Sequence, residues 1–199
     1  MTPRREHPLS RAELLDAALR IVDTEGLPAL TMRRLADAVG VEAMSLYHHV
    51  PSKEVLLDRT IERMRSELRL PDPVPEDWVD IMAAIFGGYR RVLAAHPNML
   101  PLAARRTDSA PPIGLQFLID QGFAPDDAVE LYQSLTAFTV GYSMLSSPFV
   151  GADRSPVPGD LAERARDWRD GTCERTLRMI MAAYGSRRHA VIGAADSAS

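Results

Sequence analysis

One cysteine, one lysine and no long apolar run are the scarcities that bound what this 199-residue chain can be. Cys173 alone cannot close an intrachain disulfide, and no cysteine cluster is present to hold zinc. No stretch approaches the roughly 18 apolar residues of a membrane span. The opening residues also lack the pattern of a secretory leader, so a reducing cytoplasm is the expected location. An excess of positive charge is missing too. The chain carries 23 basic and 27 acidic residues, for a net charge of −4, and residues 1–70 hold 11 of each. Lysine occurs only at position 53, against 22 arginines, a bias that reads as genomic base composition. Repeats, low-complexity tracts and useful strand alternation are absent. So are a Ser-His-Asp order on a strained nucleophile turn, a phosphate-cradling glycine loop and a His or carboxylate ligand set. An enzyme is therefore not expected, and neither is a cofactor or metal. His48 and His49 are neighbours that point in different directions, unlike the i, i+4 pair that binds a metal on a helix.

What is present is helical periodicity, and 46% apolar residues can build a real core, so the fold class is all-α. Ser10 and Glu13 match a reciprocal capping box, Gly26 stands at the matching C-terminal end, and Leu14, Ala18, Ile21 and Val22 give the first helix a buried face. Thr31 can cap a second helix that Gly40 ends. Leu35, Val39, Val41, Leu46 and Val50 recur on one inner face, and Ala36 is small enough for close crossing. A short pair of helices at a steep angle follows, with Ala43–His49 as the second member. Its outward positions, Ala43, Met44, Ser45, Tyr47, His48 and His49, are candidates to enter the major groove of double-stranded DNA. Tyr47 suits inward packing equally well. Arg33 and Arg34 are candidate phosphate contacts, with Arg4, Arg5 and Arg11 near the N-terminal arm. Pro51 breaks the pair, Ser52 caps a fourth helix to about Leu68, and Lys53 opens it beside free N–H groups that suit a phosphate.

Pro71, Pro73 and Pro75 mark a stiff linker. A long helix is expected from Glu76 to His96 and a short segment over Asn98–Arg106. After a loop at Pro111 and Pro112 come a helix from Ile113 to Gln121 and a longer one from Asp126 to about Leu145. The stretch SSPFVGADRSPVPGD reads as a loop, and Leu161–Tyr184 as a last helix bearing Trp168. The division by sequence is 1–52 as a DNA-binding head, 53–70 as a connecting helix, 71–185 as a helical body and 186–199 as a flexible tail.

The run LTMRRLADAVGVEAMSLYHHV followed by SKEVLLD resembles the TetR family of bacterial repressors in order, spacing and turn residues. The stretches EDWVDIMAAIFGGYRRVLAAH and LQFLIDQGFAPDDAVELYQSLTAFTVG look, more weakly, like the body of the tetracycline repressor subgroup. The resemblance implies an N-terminal three-helix head with a helix-turn-helix, a connecting fourth helix, and a body that binds a ligand and dimerises. It implies operator DNA, a small-molecule effector and a second copy as partners, with the last two long helices pairing into a four-helix interface. It makes Thr31, Arg33, Ala43, Met44, Ser45, Tyr47, His48, His49 and Lys53 the DNA-binding set. By position it brings Ile85, Tyr89, Leu102, Leu115, Tyr132, Gln133 and Thr136 to a ligand site. The subgroup's metal-chelating histidine aligns with Ala103, and its polar asparagine and histidine align with Ile85 and Arg69. A metal-chelated drug is therefore not expected, and an apolar or aromatic effector is.

Plain alternatives stand beside these assignments. The aromatic and methionine positions also suit an ordinary core, which would make the protein a constitutive or partner-controlled DNA binder with a filled body. His96 before Pro97 suits a helix end, Asp126 and Asp127 suit a helix start, and Cys173 suits a small buried side chain. The rival of another class is a helical enzyme with an unrecognised site.

Overall fold

A computed structural model describes residues 9–106, 112–147 and 171–188, and every regular element among them is helical. The order is α1 (Arg11–Glu25), α2 (Met32–Val39), α3 (Ala43–Leu46), α4 (Lys53–Arg65), α5 (Trp78–Ala95), α6 (Leu100–Arg105), α7 (Pro112–Asp120), α8 (Pro125–Ser146) and α9 (171–188). Short 3-10 turns at Leu27–Ala29 and Pro97–Met99 complete the set. Arg4, Arg5, Pro111, Trp168 and most of the expected loop after α8 lie outside the described residues. None of the described helices is long and apolar enough to cross a membrane.

The chain forms two compact units. The first takes the residues up to Leu68 together with Val92–Ala103, and the second takes Arg69–Arg91 and the described residues from Ala104 onward. A division at residue 70 alone does not contain the return of Val92–Ala103 to the first unit. That return depends on contacts far apart in sequence.

In the first unit, local chemistry sets the helix ends. The Ser10 hydroxyl accepts from the Glu13 N–H at 3.2 Å while the Glu13 carboxylate accepts from the Ser10 N–H at 2.9 Å, a complete capping box. Thr31 Oγ1 accepts from the Arg34 N–H at 3.0 Å, and Ser52 Oγ accepts from the Val55 N–H at 3.2 Å. Gly40 ends α2 at φ +70°, ψ +39°, a left-handed conformation that a side chain would strain. Leu14, Ala18, Ile21 and Val22 of α1 are buried, as are Leu35, Ala36, Val39, Leu46 and Val50 of the α2–α3 pair, while Val41 is half-buried.

The second unit packs α5, α7, α8 and α9 around one apolar cluster. Trp78, Met82 and Phe86 of α5 meet Leu118 of α7, Leu131, Tyr132 and Leu135 of α8, and Cys173, Leu177 and Met181 of α9. Trp78 meets Phe123 edge-on at 5.0 Å, and Phe86 meets Tyr132 at 5.4 Å, geometries that align ring edge with ring face. Asp77 accepts from the Val79 N–H at 2.8 Å and caps α5, which begins at Trp78, two residues inside the expected start at Glu76. Helix α9 runs on to 188, past the expected end at Tyr184, and Arg187 there pairs with Asp127 and Glu130 of α8 at 3.0 and 3.2 Å.

Gly114 of α7 faces the Tyr132 ring so closely that a Cβ there would lie 2.4 Å from a ring carbon. Tyr132 is buried against Phe86 and has little room to yield. Overpacking of this kind costs about 1–3 kcal/mol, more than the gain of up to about 1 kcal/mol from replacing a helical glycine. Gly114→Ala is expected to lower the urea midpoint of the protein, whereas an alanine at the open Gly141 should not.

Candidate nucleic-acid interface and the ion network of the first unit

The α2–α3 pair buries its inner face and leaves the other bare. Met44 is 74% exposed and Tyr47 is 44% exposed; Thr31, Arg33, Ser45, His48 and Lys53 are also exposed, and Ala43 and His49 are half-buried. All nine residues of the sequence-derived DNA-binding set therefore reach solvent. The regular helix is shorter than the expected Ala43–His49. It ends at Leu46 and continues as tightened turns, with the Tyr47 N–H donating to Met44 O and the His49 N–H to Leu46 O. The Val50 N–H then donates to Leu46 O at 2.8 Å, and Pro51 bars the helix from going further, since its ring pushes the residue before it out of the helical region. Arg34 does not extend the bare face. Its guanidinium grips the Glu25 carboxylate of α1 through two contacts, at 3.0 Å from Nε and 2.5 Å from Nη2. That hydrogen bonding holds Glu25 below its ordinary pKa and raises that of Arg34.

Elsewhere in the first unit runs a chain of alternating charge that sequence reasoning missed. Asp16 of α1 accepts from Arg63 Nε at 2.6 Å, and Arg63 Nη1 donates to Glu67 at 3.0 Å. Glu67 Oε2 lies 2.9 Å from His96 Nε2, and Asp23 Oδ2 lies 2.9 Å from His96 Nδ1. Asn98 adds two bonds from its amide, to the Val22 and Asp23 carbonyls at 2.9 Å, satisfying acceptors in the last turn of α1. Burial of His96 opposes its charge, but hydrogen bonds to Glu67 and Asp23 and the attraction of both carboxylates outweigh that, and its pKa is raised. Glu67 moves down, chiefly through its hydrogen bond to His96, against its own desolvation. With a carboxylate on each ring nitrogen, the imidazolium can donate in both directions, which neutral histidine cannot do. His96 is a helix-end residue as expected, and also the clasp that joins Val92–Ala103 to α1 and to the turn after α4. Its partners lie 29 and 73 residues away, so no local pattern revealed them.

The seven ligand-site candidates divide. Tyr89, Tyr132 and Thr136 are buried, Ile85 and Leu115 are half-buried, and Gln133 is exposed. Tyr132 and Thr136 are successive on one face of α8, where Thr136 Oγ1 donates to the Tyr132 carbonyl at 2.8 Å. Leu102, 2% exposed, belongs to the first unit and not to the second, as does the fully buried Ala103. Among the described residues no group of three His, Cys, Asp or Glu side chains could hold a metal ion. Cys173 is buried, and burial raises its thiol pKa, the opposite of an activated thiolate.

Residues 14–60 match the family described as bacterial regulatory proteins, tetR family. Over 164 residues the chain is 29% identical to an HTH-type transcriptional regulator of Saccharopolyspora erythraea, covering 79% of this chain and 70% of that protein. It is 31% identical to the tetracycline repressor protein class C of Escherichia coli, covering 67% of this chain and 64% of the repressor. The chain thus spans about two thirds of the length of these curated relatives. A solved structure of a substituted TetR from Acinetobacter baumannii AYE in complex with minocycline superposes with a TM-score of 0.73 at 25% identity, covering 91% of this chain and 96% of that one.

The ion network carries a pH dependence of definite sign. A raised pKa in the folded state means that His96 contributes stability fully below its ordinary value of 6.5, and loses it as pH climbs through the folded value. The lowered pKa of Glu67 contributes stability above its ordinary value of 4.5 and loses it as pH falls through the folded value. The first unit is expected to be most stable between these limits and to weaken as pH climbs through the raised folded-state value of His96. His96→Ala should cost about 1–3 kcal/mol near pH 6 and flatten the decline above it. Urea midpoints of both proteins at pH 6 and 8 check this, and parallel curves would remove His96 as the titrating group.

Proposed function

Because the chain belongs to the TetR family of bacterial regulatory proteins, we propose that it is a ligand-responsive, DNA-binding transcriptional regulator that acts as a repressor, working in the cytoplasm as a homodimer. The carrying observation is the capped α2–α3 pair, which buries Leu35, Ala36, Leu46 and Val50 and turns Met44, Ser45, Tyr47 and His48 outward. Such an element presents side chains to the major groove, and a two-fold dimer sets two of them about one DNA turn apart, roughly 34–36 Å. Arg33, His49 and Lys53, with the Thr31 cap, supply the flanking backbone contacts in this proposal, and Ala43 allows close approach.

Dimerisation through α8 and α9 is supported by apolar side chains that stand exposed in the single chain. These are Val129 and Leu145 on α8 and Met179, 65% exposed, on α9. A formally neutral head gives few phosphate contacts per subunit, so two subunits are needed for useful affinity.

For the effector, the family likeness and the apolar character of Ile85, Tyr89, Leu115 and Tyr132 favour a small, largely apolar or aromatic molecule, with Thr136 and Gln133 as polar handles. The effector would lower DNA affinity by displacing α4 and so changing the separation of the two reading helices. A coupling of about 1–3 kcal/mol is enough for a 5- to 150-fold response. The tight seat of Tyr132 on Gly114 favours a second reading, in which the body is filled and DNA binding is constitutive or partner-controlled.

Fluorescence anisotropy with the DNA upstream of the protein's own gene and its divergent neighbour, at several salt concentrations, tests the proposal. Lys53→Ala should weaken binding to every sequence and reduce the slope of log K against log salt by about two, one phosphate contact per subunit of the dimer, while Tyr47→Ala weakens operator binding without unfolding the dimer. Unchanged binding by both variants would remove the assignment of this face. In the same assay with a compound library, Tyr89→Ala is expected to shift the effector response more than DNA affinity, and an equal loss of response and fold stability would favour the filled body.

A further inference from the structure

The outward positions of α3 and its following turn, Ala43, Met44, Ser45, Tyr47, His48 and His49, hold none of the residues that read a base by two hydrogen bonds. Guanine is read in that way by Arg or Lys at O6 and N7, and adenine by Asn or Gln at N6 and N7. Ser45 and the histidines can offer single bonds, and a single bond separates bases weakly. Glu42, exposed at the leading end, can accept from cytosine N4 but repels the phosphate backbone. What this face does present is apolar. Met44, at 74%, is the most exposed of the large hydrophobic side chains described, and Tyr47 stands 44% exposed one turn further on. Leu46 and Val50 are fully buried behind them, so the helix cannot roll to hide Met44 without exposing its own anchor.

The major-groove edge of DNA has one apolar feature, the C5-methyl group of thymine. We infer that Met44, with Tyr47 beside it, reads operator half-sites through thymine methyl groups, so that the base facing Met44 is a thymine recognised by apolar contact and no guanine is gripped from α3. The unbranched, polarizable thioether suits this task, since it can settle against a methyl group without a fixed hydrogen-bond geometry. Arg33, on α2, remains for phosphate or for a base flanking the α3 footprint. The inference rests on the DNA-binding reading above and goes beyond it by naming the chemistry that is read.

The test selects binding sequences from a random duplex library with the full-length protein, then replaces each thymine of the enriched half-site with uracil, which removes only the methyl group. Wild-type protein is expected to lose about four- to tenfold in affinity at one or more thymines per half-site. Met44→Ala, a change at an exposed position that leaves the core intact, should bind the thymine and uracil forms within about twofold at that site and keep the salt slope of the wild type. Indifference of the wild type to every uracil, or full methyl dependence retained in Met44→Ala, overturns the inference on an operator that still binds. A library that yields no enriched sequence removes the DNA-binding reading itself, and this inference falls with it.

Discussion

His96 sits with a carboxylate 2.9 Å from each ring nitrogen, and it can satisfy both only as an imidazolium. Through it, Asp23 near the end of α1 and Glu67 in the turn after α4 are held against the segment Val92–Ala103. Arg63 extends the chain to Asp16, so that α1 and α4 are tied at two levels. An ion pair of exposed side chains contributes little. Here one member is 9% exposed and every member shares a partner, so the loss of one leaves others uncompensated. Asn98 adds two further bonds to the end of α1, and the three elements meet at a charged, directional joint beside the apolar core.

The α2–α3 pair is built on different terms. Leu35, Ala36, Leu46 and Val50 are buried on its inner face and Thr31 caps α2, so the fold does not draw on the outward residues. Met44 and Tyr47 are exposed because α3 is too short to have more than one buried face and that face is taken by Leu46 and Val50. The one arginine of α2 with a strong internal partner, Arg34, is bound to Glu25 and serves packing. A face freed of structural duty in this way can vary in sequence without cost to the scaffold.

In the second unit the constraint is volume. Tyr132 is fixed between Phe86 and a glycine that must lack a side chain, and Trp78, Phe123, Leu177 and Met181 close the cluster around it. Two buried hydroxyls on α8 are spent on their own helix, Thr136 on the Tyr132 carbonyl and Ser143 on that of Thr139, while the buried Thr139 hydroxyl between them has no partner among the described residues. The same apolar side chains would line a ligand site or fill a core.

The sequence by itself determined the features whose cause lies within a few residues. The capping box at Ser10 and Glu13, the caps at Thr31 and Ser52, the left-handed Gly40 and the buried stripe of the helix pair all follow from neighbours three or four positions apart, and all are present. Two boundaries moved: α3 stops at Leu46 and passes into tightened turns before Pro51, and α9 runs past Gly185 to the pairing of Arg187 with α8. Only the tertiary structure decided that Arg34 faces Glu25, that Val92–Ala103 rejoins the first unit and that His96 lies between two acids. Hydrogen bonds between side chains 9, 29 and 73 residues apart leave no period in a sequence. They exist only once apolar burial has brought the helices together, and the charges then select among the arrangements that burial allows.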